Sequence, residues 1–155
     1  MVNEIIVFIA TKVHIFILLC AILSVFFIEP FKRKQILLLT LISLPAVFIT
    51  SRVMSFFVYN PRPFVVDTVE PFFPHIANNG FPSDHALLVA TIASLVFVYN
   101  KPLGIVLFGL GILVGVARVL SYVHHASDII GSFVIAILIV YLGYKFLKMG
   151  FLQSN

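Results

Sequence analysis

Apolar residues run along this chain in long stretches, each near the roughly 20 residues that cross a bilayer as a helix. Five stand out, at about 5–28, 35–57, 83–99, 103–120 and 127–147. Polar and helix-breaking residues separate them. Glu29-Pro30-Phe31-Lys32-Arg33-Lys34 predicts a tight basic loop, and Asn100-Lys101-Pro102 a turn. Pro82 suits the first turn of the third span. The connection at about 58–81 holds Pro61, Pro63, Pro71, Pro74, Asn78, Asn79 and Gly80, too polar and proline-rich for a helix throughout. Lys12 and His14 lie in the N-terminal half of the first span, which places that end at the interface with Lys12 snorkelling. Gly111 and Gly115 share a face of the fourth span and mark close packing rather than chemistry. The pattern predicts an all-α integral membrane protein, one domain over residues 1–155, built as a bundle of about five transmembrane helices.

Composition strengthens this reading. The chain is 61% hydrophobic and 10% charged, with a mean hydropathy of +1.15; soluble domains are about 45–50% apolar and about 25% charged. The net charge of +4 forms no continuous basic stripe, so nucleic acid is not an expected partner. The lone Cys20 sits in an apolar run; it has no partner for an intrachain disulfide and reads as a packing residue. The first apolar run is too long, and lacks the small-residue site, for a cleavable signal, so it is expected to remain as an anchor.

Three clusters hold much of what little charge the chain has away from its basic loops: Arg62-Pro63, then Pro82-Ser83-Asp84-His85, then Arg118 with His124 and Asp128. An ionisable group in lipid is expensive and is by default a functional candidate. With five spans, all three clusters fall on one membrane face. Lys32, Arg33, Lys34, Lys101, Lys145 and Lys148 fall on the other, which the positive-inside rule makes cytoplasmic. The clusters and the N-terminus then face outward.

Each cluster also has a plainer reading. Arg62, held extended between two prolines, suits phosphate oxygens, but equally an interfacial lipid headgroup. Ser83 and His85 open a span whose unpaired N–H groups attract anions; Ser83 is otherwise an ordinary helix cap and His85 an interfacial histidine. His124 and Asp128 are four apart and share a helix face, so Asp128 can fix the tautomer of His124 and leave its other nitrogen as nucleophile. A structural His–Asp pair is the alternative there. His125 competes for the nucleophile role, but three residues from Asp128 it points elsewhere on a helix. Taken together, two arginines, two histidines, an aspartate and a serine suit phosphoryl transfer without a metal.

In order and spacing the clusters resemble the three-part signature of the type 2 phosphatidic acid phosphatase superfamily, which also includes vanadium haloperoxidases. That signature reads K-x6-R-P, P-S-G-H and S-R-x5-H-x3-D. The chain matches it from Arg62-Pro63 through Arg118-x5-His124-x3-Asp128, with Ser55 at the lysine, Asp84 at the glycine and Ala117 at the leading serine. The resemblance covers about residues 35–147. The wording Pro-Arg-Pro-Phe with Phe-Pro-Ser-Asp-His is similar to bacterial undecaprenyl pyrophosphate phosphatases of the bacitracin-resistance type. The superfamily usually has six spans, one more than the pattern yields here. Arg52, about one turn before Ser55, is a possible auxiliary cation. A carboxylate at Asp84 would repel phosphate unless it points away, pairs with an arginine or takes a proton.

The resemblance implies a hydrolase working on a lipid carrying phosphate or diphosphate. His124 would attack phosphorus and form a phosphohistidine, Asp128 would orient it, and His85 would protonate the leaving oxygen. Arg62, Ser83, Arg118 and the backbone at Asp84 would hold the phosphoryl oxygens, with no metal or other cofactor. The implied substrate is an isoprenyl diphosphate, foremost undecaprenyl diphosphate, recycled for cell-wall glycans at the bacterial plasma membrane with the site facing the periplasm or exterior. The 58–81 connection, with Phe72, Phe73 and His75, would cover the headgroup or serve only as a linker. Alternatives are a phosphatase for phosphatidylglycerol phosphate or another lipid phosphate, and a non-catalytic protein binding anionic lipid. A conduction pathway is disfavoured by the absence of polar residues midway along the last two spans, and a soluble haloperoxidase by the hydropathy. Oligomeric state is left open.

Overall fold

The computed structural model of the protein describes residues 1–153. Its elements are α1 (Val2–Val25), α2 (Pro30–Phe57), the single turn α3 (Pro63–Val66), α4 (Asp84–Tyr99), α5 (Lys101–Leu120) and α6 (Ala126–Gln153). The described residues contain no strand, only an isolated bridge between Pro61 and Asn79.

The apolar stretches became helices close to their expected bounds. Four of them are long and apolar enough to span a bilayer, while α4, at 16 residues, is a shorter apolar helix. The basic 29–34 segment is less of a loop than its composition suggests: Pro30 opens α2, because a proline at the first helical position loses no intrahelical bond. Asn100 starts α5 by accepting the Leu103 N–H at 3.1 Å, a side-chain cap that satisfies one of the helix's unpaired donors.

α4 is the central helix. It packs against α1, α2, α5 and α6, whereas α1 leans on α5 and α2 on α6. Its sequence explains the position. Ala86, Val89, Ala90, Thr91, Ala93 and Val96 are buried, and small residues allow four neighbours to approach. The Thr91 and Ser94 hydroxyls donate to carbonyls one turn back, at 2.7 Å each, so these polar groups do not face lipid unpaired. The outer helices present Phe8, Phe16, Leu41, Phe48, Ile105, Ile130 and Leu142 outward, the apolar surface a bilayer requires.

The glycines of α5 serve packing within the chain. A Cβ on Gly104 would stand 2.5 Å from the Phe97 Cα, so only glycine permits the tight α4–α5 crossing. Gly111 faces Val89, and Gly115 faces Ile129 of α6. Beside this contact, α5 and α6 leave a groove of about 470 Å³ lined only by apolar side chains, among them Ile112, Ile130, Val134 and Ile137. The groove begins at Leu120 and Ala126, on either side of the short loop that carries His124.

Candidate active site

The three polar clusters meet at one end of the bundle. The connection from α2 to α4 is pinned there by asparagines. Asn79 donates to the Val58 carbonyl at 2.8 Å and to the Ser55 carbonyl and hydroxyl at 2.9 and 3.2 Å; its Oδ1 accepts from the backbone of Asn60 and Phe81. The chain at 60–62 thereby runs beside 78–80, with Gly80 N–H donating to the Asn60 carbonyl at 2.8 Å. A Cβ on Gly80 would lie 2.9 Å from Asp128 Oδ2, so glycine is what lets this crossing sit against the carboxylate.

Arg62 is carried by that crossing and is buried. Its Nε donates to Asn78 Oδ1 at 2.9 Å, and its Nη1 donates to the Val123 carbonyl at 2.6 Å and to His124 Nε2 at 3.1 Å. Arg118, from the last turn of α5, is also buried. Its Nη1 donates to the Ala10 carbonyl of α1 at 3.2 Å, and its Nη2 points at His75 Nε2 at 3.0 Å and His124 Nε2 at 3.5 Å. Two guanidiniums therefore converge on one imidazole nitrogen.

That convergence fixes the tautomer of His124. A guanidinium only donates, so Nε2 must present its lone pair, and the ring proton sits on Nδ1. Nδ1 faces Asp128 Oδ2 at 3.3 Å. The carboxylate is fully buried and held on both oxygens: Oδ1 accepts from Asn60 at 2.7 Å, and Oδ2 also accepts the His125 N–H at 2.9 Å. The last contact is half of a capping box, an acidic residue in the first helical turn reaching back to the residue before the helix. The expected pairing of His124 with Asp128 thus exists, but for a different reason. α6 begins at Ala126, so His124 lies before the helix, in a loop turned by Tyr122 at a φ of 60°. A non-glycine residue in this left-handed region is uncommon, and here it swings His124 back over the helix start. His125 points away, donating from Nε2 to the Pro61 carbonyl at 3.0 Å.

The electrostatics favour a neutral His124. Burial pushes its pKa down; the Asp128 hydrogen bond pulls it back, and the Arg118 and Arg62 guanidiniums push it down further, the net shift being downward. Burial likewise lowers Arg62, against the opposing pull of Asp128, yet an arginine stays charged.

The Pro-Ser-Asp-His segment divides its residues among three neighbours. Ser83 is buried at the start of α4 and its N–H donates to Ser132 Oγ at 2.9 Å; Ser132 Oγ in turn donates to the Asp128 carbonyl at 2.6 Å. The Ser83 hydroxyl does not cap its helix and has no partner, as is true of Arg118 Nε. Buried donors without partners call for an explanation, and an anionic ligand supplies one. Asp84 turns outward and pairs with Arg52 at 3.0 Å on the exposed surface, so the carboxylate is neutralised by the cation the sequence offered as an auxiliary. Arg52 also lies over the Phe48 ring. His85 is half-buried and meets His14 of α1 edge to face, with centroids 4.7 Å apart.

Several neighbours of the cluster carried no motif: Asn60, Asn78 and Asn79, His75, and His14, whose Nδ1 is buried without a partner. For the asparagines and His75 the only signal was the asparagine-rich, proline-bracketed connection, and for His14 its place as a polar residue in an apolar span. Among the described residues, no trio of His, Cys, Asp or Glu side chains is placed to hold a metal. The positive charge of the site is that of its arginines. The arrangement can hold a phosphoryl group by two guanidiniums and present to it an imidazole nitrogen with a free lone pair.

Residues 37–151 match the PAP2 superfamily. Undecaprenyl-diphosphatase BcrC of Bacillus subtilis (strain 168) is 38% identical over 88 residues, 57% of this chain and 46% of that protein. Bacitracin transport permease protein BcrC of Bacillus licheniformis is 28% identical over 108 residues, covering 69% and 53%. The chain spans about half the length of these curated relatives. Among solved structures, Aquifex aeolicus LpxE superposes with a TM-score of 0.70 at 23% identity, over 93% of this chain and 86% of that one. The first transmembrane PAP2 type phosphatidylglycerolphosphate phosphatase from Bacillus subtilis gives 0.67 at 21%, over 96% and 77%. These two show the fold.

Proposed function

The chain belongs to the PAP2 superfamily, and from that premise we propose that it hydrolyses the terminal phosphate of a lipid diphosphate, foremost undecaprenyl diphosphate, through a phosphohistidine on His124. The observation that carries this is the convergence of Arg62 and Arg118 on His124 Nε2 while Nδ1 faces Asp128. The guanidiniums bind the terminal phosphoryl oxygens, joined by the Ser83 hydroxyl and the backbone at Asp84. Nε2 attacks phosphorus, the bridging P–O bond breaks, and His85 gives its proton to the departing oxygen. Asp128 stabilises the positive charge that grows on the ring. Water, deprotonated by His85, then attacks phosphorus, the N–P bond breaks, and inorganic phosphate leaves with His124 regenerated.

The substrate choice rests on the Bacillus subtilis undecaprenyl-diphosphatase and on the apolar groove between α5 and α6, which begins beside the His124 loop and offers a sideways berth for a hydrocarbon tail. The basic residues at the opposite end of the bundle orient the site outward from the plasma membrane. A direct comparison of undecaprenyl diphosphate, phosphatidylglycerol phosphate and phosphatidic acid in mixed micelles tests the assignment. The isoprenyl diphosphate is expected to have the highest kcat/KM, and a glycerolipid phosphate turned over at least as well overturns it.

The acidity of His124 makes a second expectation. Only the neutral ring attacks, and its pKa lies below the ordinary value of about 6.5. Activity is therefore retained above that lowered pKa and lost as pH falls through it. The acid limb of kcat/KM, which reports the unliganded enzyme, is expected below about pH 6.5 when measured from about pH 4 to about pH 9.

A further inference from the structure

The connection between α2 and α4 does more than join them. Phe72 N–H donates to the Ser121 carbonyl at 3.3 Å and its ring meets Tyr122, centroids 5.7 Å apart. Phe73 lies 5.8 Å from the Arg118 guanidinium carbon. These contacts strap the segment over the end of α5 and deliver His75 into the cluster. Its Nε2 is 3.0 Å from Arg118 Nη2, and its ring meets that of His124 edge to face at 6.1 Å. His75 belongs to none of the three motif segments.

We propose that His75 is a further phosphate-binding residue of the site, beyond Arg62, Arg118 and Ser83, exchanging its hydrogen bond with Arg118 for one to a phosphoryl oxygen when phosphate binds. The inference rests on the reading of the cluster as a phosphate site and adds a residue and a proton to it. Arg118 can only donate, so His75 accepts through Nε2 and is neutral there. An oxygen that takes the Arg118 Nη2–H competes with Nε2 for the same donor. His75 then has a lone pair against an anion, an arrangement relieved when the ring takes up a proton from solvent and becomes a donor.

The surroundings set that proton uptake. Arg118 from α5 and His124 from the loop touch His75, and the charges of Arg62 from the connection and of His85 from α4 act on it. Burial and then the two guanidiniums hold its pKa at about 4. A bound phosphate dianion cancels much of this positive field and raises the pKa. Ser55, where the superfamily signature has lysine, is occupied in holding Asn79, and Arg52 in holding Asp84. His75, by contrast, is seated on Arg118 within the cluster itself.

The test is orthophosphate binding by the detergent-solubilised full chain, measured by calorimetry in two buffers of different ionisation enthalpy, which yields affinity and protons taken up together. His75→Ala is expected to weaken orthophosphate about tenfold, the worth of one charge-assisted hydrogen bond. His75→Gln keeps a donor but no titratable nitrogen. It is expected to fall between the two and, like the alanine variant, to take up fewer protons per phosphate than the parent. The half-buried site of His75 on a connecting segment makes both variants compatible with folding. Lipid diphosphate turnover is followed on the same preparations. A parent that hydrolyses substrate while both variants match its affinity and proton uptake overturns the role of His75 alone. A parent that neither binds phosphate nor hydrolyses overturns the phosphatase reading and this inference with it.

Discussion

His124→Ala is expected to lower phosphate release from undecaprenyl diphosphate by about four orders of magnitude or more, because no other neutral imidazole nitrogen is offered to both guanidiniums. The fold should survive the change. Asp128 keeps its bonds from Asn60 and the His125 N–H, and Arg62 keeps the Val123 carbonyl and Asn78. The charges left behind therefore remain partnered, which is what decides whether a buried truncation unfolds a site. Rapid quench of the parent with phosphorus-labelled substrate should trap an acid-labile, base-stable phosphoprotein that the variant lacks. Turnover within tenfold of the parent, or a label that persists in the variant, would remove His124 as the nucleophile.

Asp128→Asn is expected to show the second-largest loss, of about two to four orders of magnitude in kcat. The shape is preserved, but an amide presents only one acceptor oxygen where the carboxylate serves His124, Asn60 and the His125 N–H. The imidazole loses the partner that holds its proton on Nδ1, and the ring can turn its lone pair away from the guanidiniums. The positive charge that grows on the ring during attack is no longer balanced. Orthophosphate binding, carried by the arginines, should change far less than kcat, and this split identifies a positioning effect rather than a collapse of the pocket. A loss confined to KM would contradict it.

The helices were legible because each carries its own signal, an apolar run bounded by proline, asparagine or charge. Membership of the three clusters in one site was legible from topology alone: ends of alternate spans must share a membrane face. What joins them was not. Asn79 reaches back to Ser55 and Val58, and Asn60 reaches Asp128; such contacts depend on a folded connection whose path no periodicity encodes. The pairing of Asp84 with an arginine was one of three ways to keep a carboxylate near phosphate, and only the packing of α2 on α4 selects Arg52. The His124–Asp128 spacing predicted their contact on the wrong premise, since the loop and the helix cap, rather than a shared helix face, bring the imidazole and the carboxylate together. His75 and His14 were invisible as partners because their neighbours lie on other elements, at Arg118 and at His85.

The brevity of α4 has a consequence for where the chemistry happens. A helix of 16 residues is about 24 Å long, shorter than the roughly 30 Å of hydrocarbon in a bilayer. Aligned with Tyr99 at one boundary, a helix of this length would leave Ser83 and His85 several ångströms short of the other. On the proposed reading, the phosphate site is thus drawn from the headgroup plane toward the hydrocarbon layer. On the proposed mechanism, the water that releases a phosphorylated histidine must reach that depth, so solvent entry bears on the second half of the cycle as lipid arrival bears on the first.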